Sequence, residues 1–203
     1  FEGEVYNPDV TAKGGRLLGY SRSELSDYFR TNSYELVEGR HLTEQDKDKI
    51  LISDVLAKKN HLALGDTICG EQNKYLTELG DPSVIIYKKN FEIVGIFHVN
   101  VSQVISEYTL EEEIAENYMF AACSTIQELR QKDAQLQGIN NGLLYDKASF
   151  FVYDPRKMDD IIEKVQEIEG VNWDSFKIKP DDTTYQSSLK PLQNMSKISI
   201  FMI

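Results

Sequence analysis

The side chains that could do chemistry are three histidines, His41, His61 and His98, two cysteines, Cys69 and Cys123, and several groups of acids. The acids include Asp46, Asp48, the run Glu111-Glu112-Glu113 and the pair Asp181-Asp182. A histidine serves hydrolysis when a nucleophile lies beside it and a third group orients its ring. No G-x-S-x-G elbow accompanies any of the three, so each reads as a surface or structurally satisfied histidine. A zinc site needs histidine and cysteine at ligand spacing, and that spacing is absent. Paired acids can cleave glycosides or hold calcium, but there is no calcium loop, and charge runs are usually solvated faces. Neither a P-loop nor a G-x-G-x-x-G is present. The expectation is a protein without catalytic residues, bound metal or cofactor. Cys69 and Cys123 read as small buried residues, with a bridge between them left open.

The elements that carry these residues are mostly short. Arg16 to Tyr20 reads as a strand, and Ser23 to Phe29 as a helical turn capped by Ser23. Tyr34 to Val37 is a strand ended by Glu38-Gly39-Arg40. Lys49 to Ile52 is a buried strand, followed by Ser53 as N-cap of a helix over Asp54 to Asn60. Leu64-Gly65-Asp66 turns into a strand at Thr67-Ile68-Cys69. Val84 to Tyr87 and Phe91 to Phe97 read as a hairpin joined by Lys88-Lys89-Asn90, which predicts a mostly antiparallel unit. Thr109 to Glu112 fits a capping box, and Tyr118 to Cys123 a strand followed by a helix that Ser124 caps.

The last unit reads as β-α-β. Ser149 to Tyr153 is a strand by composition, and Asp154-Pro155 is an N-cap with a first-turn proline. Met158, Ile161, Ile162, Val165 and Ile168 recur at helical spacing, and Gly170 closes the helix. Ser175 to Lys179 reads as the second strand. A boundary is expected at Gln137 to Lys147.

With 203 residues, 41% hydrophobic and 27% charged, the chain can bury a core. A formal net charge of -11 disfavours nucleic acid and anionic lipid as partners. No signal peptide is apparent at Phe1-Glu2-Gly3-Glu4. Met195 to Ile203 is strongly apolar, and composition leaves it open between a core element and the first turns of a membrane helix.

One ordered series goes further. It runs from Tyr34-Glu35-Leu36-Val37-Glu38-Gly39-Arg40-His41-Leu42-Thr43 through Asp46 to Ile50-Leu51-Ile52-Ser53 and the helix Asp54 to Lys59. It ends with Leu64-Gly65-Asp66-Thr67-Ile68 and Phe91-Glu92-Ile93-Val94-Gly95-Ile96. This series resembles the extracytoplasmic core domain of MacB/FtsX-like ABC transporter permeases. In that family the Gly-Arg pair leads into an acidic, helix-starting stretch.

The resemblance implies an α+β fold, with a β-rich lobe inserted into or joined to an α/β, porter-like lobe. Residues 1–140 would be the β-rich, sabre-like lobe, 141–190 the β-α-β lobe, and 191–203 the start of a transmembrane helix. It implies Gly39, Arg40, Asp46, Gly65, Asp66 and Gly95 as structural positions. It also implies an ABC ATPase subunit or domain, a membrane-fusion adaptor and a second permease copy as partners, with no nucleic acid. Export of peptides, toxins or drugs is the implied role. Regulation of a cell-wall hydrolase or lipoprotein release is the alternative within the family, and a secreted hydrolase the alternative outside it.

Overall fold

The computed structural model describes residues 14–75, 83–106, 108–136, 147–180 and 187–189. The chain divides into two compact units, Phe1–Leu144 and Tyr145–Ile203.

The first unit is built on a mixed six-stranded sheet. Its strands are β1 (Arg16–Tyr20), β2 (Tyr34–Gly39), β3 (Lys49–Ser53), β4 (Thr67–Tyr75), β5 (Ser83–Val99) and β6 (Tyr118–Ala122). The order is β1-β6-β3-β5-β2, with β4 also paired to β5. Most pairings are antiparallel, as expected: β2 and β4 both run antiparallel to β5, and β3 antiparallel to β6. Two are parallel, β1 with β6 and β3 with β5. β3 lies in the middle of the sheet with a core on each face, which is why it is buried from Ile50 to Ser53 without alternation.

Two cores result, one on each face. Ile50, Ile52, Met119 and Ala121 point to the first, where Leu56 and Ala57 of α2 (Asp54–Lys59) and Ile126 of α3 (Cys123–Leu136) meet them. Leu51 and Phe120 point to the second, which is aromatic. There Tyr34 stacks on Phe97 with ring centroids 5.0 Å apart and on Tyr28 at 4.9 Å. The Tyr34 hydroxyl donates to the Ala115 carbonyl at 3.2 Å, so its polar tip is satisfied inside the core.

Several local expectations are corrected. Ser23 caps no helix: it is fully buried, and Ser26 caps α1 (Asp27–Arg30) by accepting from Phe29 N. Lys88-Lys89-Asn90 forms no hairpin turn, because β5 runs straight through it as a single 17-residue strand. Its antiparallel partner there is β4. Lys88 pairs with Glu71, and Lys89 reaches Asp48 at 2.7 Å, so these polar residues sit on a strand without a turn. The segment after Arg40 forms a turn at Thr43–Asp46 where a helix start is implied. Thr109 caps no helix, since the 3₁₀ turn Glu111–Glu113 has no side-chain cap. Ser124 lies inside α3 and donates to the Asp46 carbonyl at 3.0 Å. Ser53 caps α2 as the sequence predicts, accepting from Leu56 N at 3.1 Å.

The second unit holds α4 (Met158–Gln166), entered through a 3₁₀ turn at Pro155–Lys157. Asp154 caps that turn by accepting from Arg156 N at 3.1 Å. Met158, Ile161, Ile162 and Val165 share the half-buried face of α4, and Gly170 has a φ of +82°. The flanking strands of the β-α-β reading are absent: Phe150 to Tyr153 is irregular, and the second flank is a 3₁₀ turn, Trp173–Ser175, followed by irregular chain. The region 191–203 lies outside the described residues. Among the described residues, no helix is long and apolar enough to cross a membrane.

Candidate functional site

The six positions singled out by the resemblance gather where β5 changes partners. Up to Glu92 the strand pairs with β4, and from Gly95 onward with β2. Gly65 N donates to the Ile93 carbonyl, and Ile93 N donates to the Asp66 carbonyl, both at 2.9 Å. One residue later, Arg40 N donates to the Val94 carbonyl at 2.9 Å. Thus the Gly65-Asp66 turn ends one pairing and the Gly39-Arg40 turn begins the next.

Glycine is required here by space as well as by dihedral angle. Gly39 has a φ of +78°, and a Cβ there would lie 2.3 Å from the Val94 carbonyl oxygen. A Cβ on Gly95 would lie 2.5 Å from the Arg40 carbonyl oxygen. Arg40 is paired with Asp46 across this turn. Its Nη1 and Nη2 donate to Asp46 Oδ2 and Oδ1, each at 2.7 Å. Asp46 Oδ2 also accepts from Thr43 N at 2.8 Å. The Arg40 guanidinium brings the Asp46 carboxyl down to about 2. Asp66 closes its own turn by accepting from Ala63 N at 2.8 Å.

This clasp surrounds a β-bulge. Ile50 pairs with Ile93 but Leu51 with Gly95, so Val94 is an extra residue in β5. The bulge reverses the alternation. Phe91 and Ile93 face the helical core before it, and Ile96 faces the same core after it, while Phe97 and Val99 turn to the aromatic core. His98 therefore lies on the α2 side of the sheet.

There His98 meets Asp54. His98 Nδ1 is 3.2 Å from Asp54 Oδ2, which also accepts from Lys58 Nζ at 3.2 Å. These groups, with Glu38, His61 and Leu62, line an open depression of about 610 Å³. A histidine–aspartate pair can move a proton, but none of the lining residues is a serine, threonine or cysteine that it could activate. The arrangement suits binding of a polar or charged group. The sequence reading missed this pairing, because only the bulge puts His98 on that face.

A second histidine meets a serine: Ser23 Oγ and His41 Nδ1 are 3.0 Å apart. Ser23 also accepts from Leu42 N at 2.9 Å, and its side chain is fully buried. Burial lowers the imidazole pKa against the pull of Glu24, and Phe29 packs edge-on against the ring. No substrate reaches this oxygen, so the pair is a structural staple. Cys69 and Cys123 are both free and half-buried. Among the described residues, no group of three or more histidine, cysteine or acidic side chains is placed to hold a metal ion.

The chain is 23% identical over 195 residues to the uncharacterized ABC transporter permease YclI of Bacillus subtilis (strain 168). The chain is similar to part of an ABC transporter permease. The alignment takes in 95% of this chain, well beyond the Tyr34 to Phe97 series, but the chain spans only 36% of that permease. No family model matches the chain.

Proposed function

We propose that this chain is the extracytoplasmic domain of an ABC transporter permease of the MacB/FtsX-like class, a mechanical and binding module without catalytic chemistry of its own. The similarity to a permease over 95% of the chain carries this reading. ATP hydrolysis in a cytoplasmic ATPase subunit or domain moves the membrane helices of the permease. Those helices rock this domain against its copy in a permease dimer. The motion changes substrate access or passes to an extracytoplasmic membrane-fusion adaptor. Peptides, toxins or amphiphilic drugs are the cargo class, and a net charge of -11 favours cationic ones.

The architecture supports a module that transmits motion. β5 has 17 residues and would span about 55 Å at the usual rise per residue. It is backed by β4, β3 and β2 in turn, and the Arg40–Asp46 clasp fixes the point where partners change. A strand held on both sides carries displacement from one end to the other with little internal yielding.

The test uses the full-length permease with its ATPase, reconstituted in lipid nanodiscs. A spin label placed at Val37 in each copy reports the distance between the two domains. The proposal expects that distance to differ between the nucleotide-free and vanadate-trapped states. An unchanged distance distribution in an ATPase that hydrolyses normally contradicts it.

A further inference from the structure

The segment between β5 and the 3₁₀ turn Glu111–Glu113 exposes apolar side chains that the fold does not use. Val104 is 93% exposed and Tyr108 85%, and Val101 and Leu110 are exposed beside them. Single exposed apolar residues are ordinary, but several within ten positions of one loop form a patch.

The loop is held in this exposed form by its own polar side chains. Gln103 Nε2 donates to the Glu113 carbonyl at 2.9 Å, and Gln103 Oε1 accepts from Ala115 N at 3.0 Å. One side chain thus ties the loop to the following turns from both of its polar atoms. Further along, Ser106 N donates to Thr109 Oγ1 and Thr109 N to the Ser106 carbonyl, at 2.9 and 3.0 Å. Tyr108 N donates to Ser106 Oγ at 3.3 Å, so Tyr108 is presented at the head of a closed turn. An apolar surface fixed before binding loses little conformational entropy when it is covered.

Charge decides what covers it. Glu112 and Glu113 are exposed immediately beyond Leu110, and the sequence has no lysine or arginine from Asn90 to Leu129. A second copy of this loop would bring the same acidic rim against itself, and anionic lipid would be repelled. A segment with apolar side chains on one face and lysine or arginine beside them matches both features.

We infer that Val101, Val104, Tyr108 and Leu110, with Glu112 and Glu113 at their rim, form a preformed docking surface for a basic, apolar-faced segment of a partner protein. This surface belongs to the chain itself and stands whether or not the chain is part of a transporter.

The probe is a short fluorescent peptide of leucine and lysine, with a leucine–glutamate peptide and a serine–lysine peptide of equal length as comparisons. Anisotropy titrations use the whole chain. The leucine–lysine peptide is expected to bind, and the leucine–glutamate peptide not. The Val104→Ser/Tyr108→Ser variant weakens binding about ten-fold, as loss of interface anchors does, and the serine–lysine peptide shows a similar deficit. Glu112→Gln/Glu113→Gln weakens binding most at low salt. All four side chains are exposed, so the variants should melt where the parent does. Equal binding by Val104→Ser/Tyr108→Ser, or no binding by the parent chain, overturns the inference. So does self-association that this variant abolishes, which would make a second copy the occupant. Loop-dependent binding to phosphatidylcholine–phosphatidylglycerol vesicles would make it lipid.

Discussion

Arg40 and Asp46 are joined by two parallel hydrogen bonds of 2.7 Å each, and through them the turn that begins the β2–β5 pairing is tied to the turn that leads into β3. The pair is asymmetric: Asp46 is 9% exposed and Arg40 50%. The carboxylate thus has little water to fall back on if the guanidinium is removed.

Replacing Asp46 by Asn should destabilise the domain by about 1–2 kcal/mol at neutral pH. Because the folded-state pKa is depressed, to about 2, the carboxylate's contribution is present above the unfolded value near 3.8 and is lost as pH falls from there towards 2. Urea titrations at neutral pH and at pH 3 test this, and the difference between the parent and Asp46→Asn should shrink at the lower pH. Arg40→Lys should itself destabilise the domain, by less than Asp46→Asn, since an ammonium keeps the charge but cannot make the fork.

Gly39→Ala and Gly95→Ala should both cost more than about 1 kcal/mol, because their new Cβ atoms meet backbone carbonyl oxygens. Gly65 provides the comparison. Its φ is +86° but its Cβ would meet nothing within 4 Å, so Gly65→Ala carries dihedral strain alone. Denaturation midpoints should rank Gly65→Ala above the other two.

Glu111 is 8% exposed, and burial raises its pKa against the pull of Lys59. A raised folded-state value means that protonation favours the folded form. Glu111→Gln should therefore raise the melting temperature at neutral pH, and the gain should disappear below about pH 4, where the unfolded carboxyl is also protonated. His41 works in the other direction. Its lowered pKa favours the neutral ring, so stability falls as pH drops below the unfolded value near 6.5, and His41→Gln should remove that step.

Cys69 and Cys123 are free, so dithiothreitol should leave the melting temperature unchanged. Burial raises the Cys123 thiol, so at neutral pH it should react with Ellman's reagent slowly in the folded chain and promptly in denaturant.

What could be read in advance follows from how local each signal is. Ser53 announces α2 and Asp154-Pro155 announces the turn into α4, because a cap and its first turn lie within a few residues of each other. The positive φ values at Gly39, Gly65 and Gly170 fall where turns were expected for the same reason. Lys88-Lys89-Asn90 misleads because strand residues facing Glu71 and Asp48 are polar like a turn, yet no glycine is there to supply a tight one. Ser23 misleads because its oxygen is taken by Leu42 N, nineteen positions away in sequence. Phe150 to Tyr153 has strand composition but no described partner strand, and composition alone pairs nothing. The His98–Asp54 pair was illegible because the face of His98 is set by an inserted residue at Val94. A bulge has no sequence period of its own.

The most direct test of the central claim is the side of the membrane on which this domain lies. In the full-length protein with Cys69 and Cys123 replaced by Ala, Val37→Cys places one thiol on strand β2 at a residue that is 53% exposed. Intact cells are treated with a membrane-impermeant maleimide before or after lysis. The account predicts full labelling in intact cells. Labelling that appears only after lysis, in cells whose known surface thiols react normally, would place the domain in the cytoplasm and contradict the account.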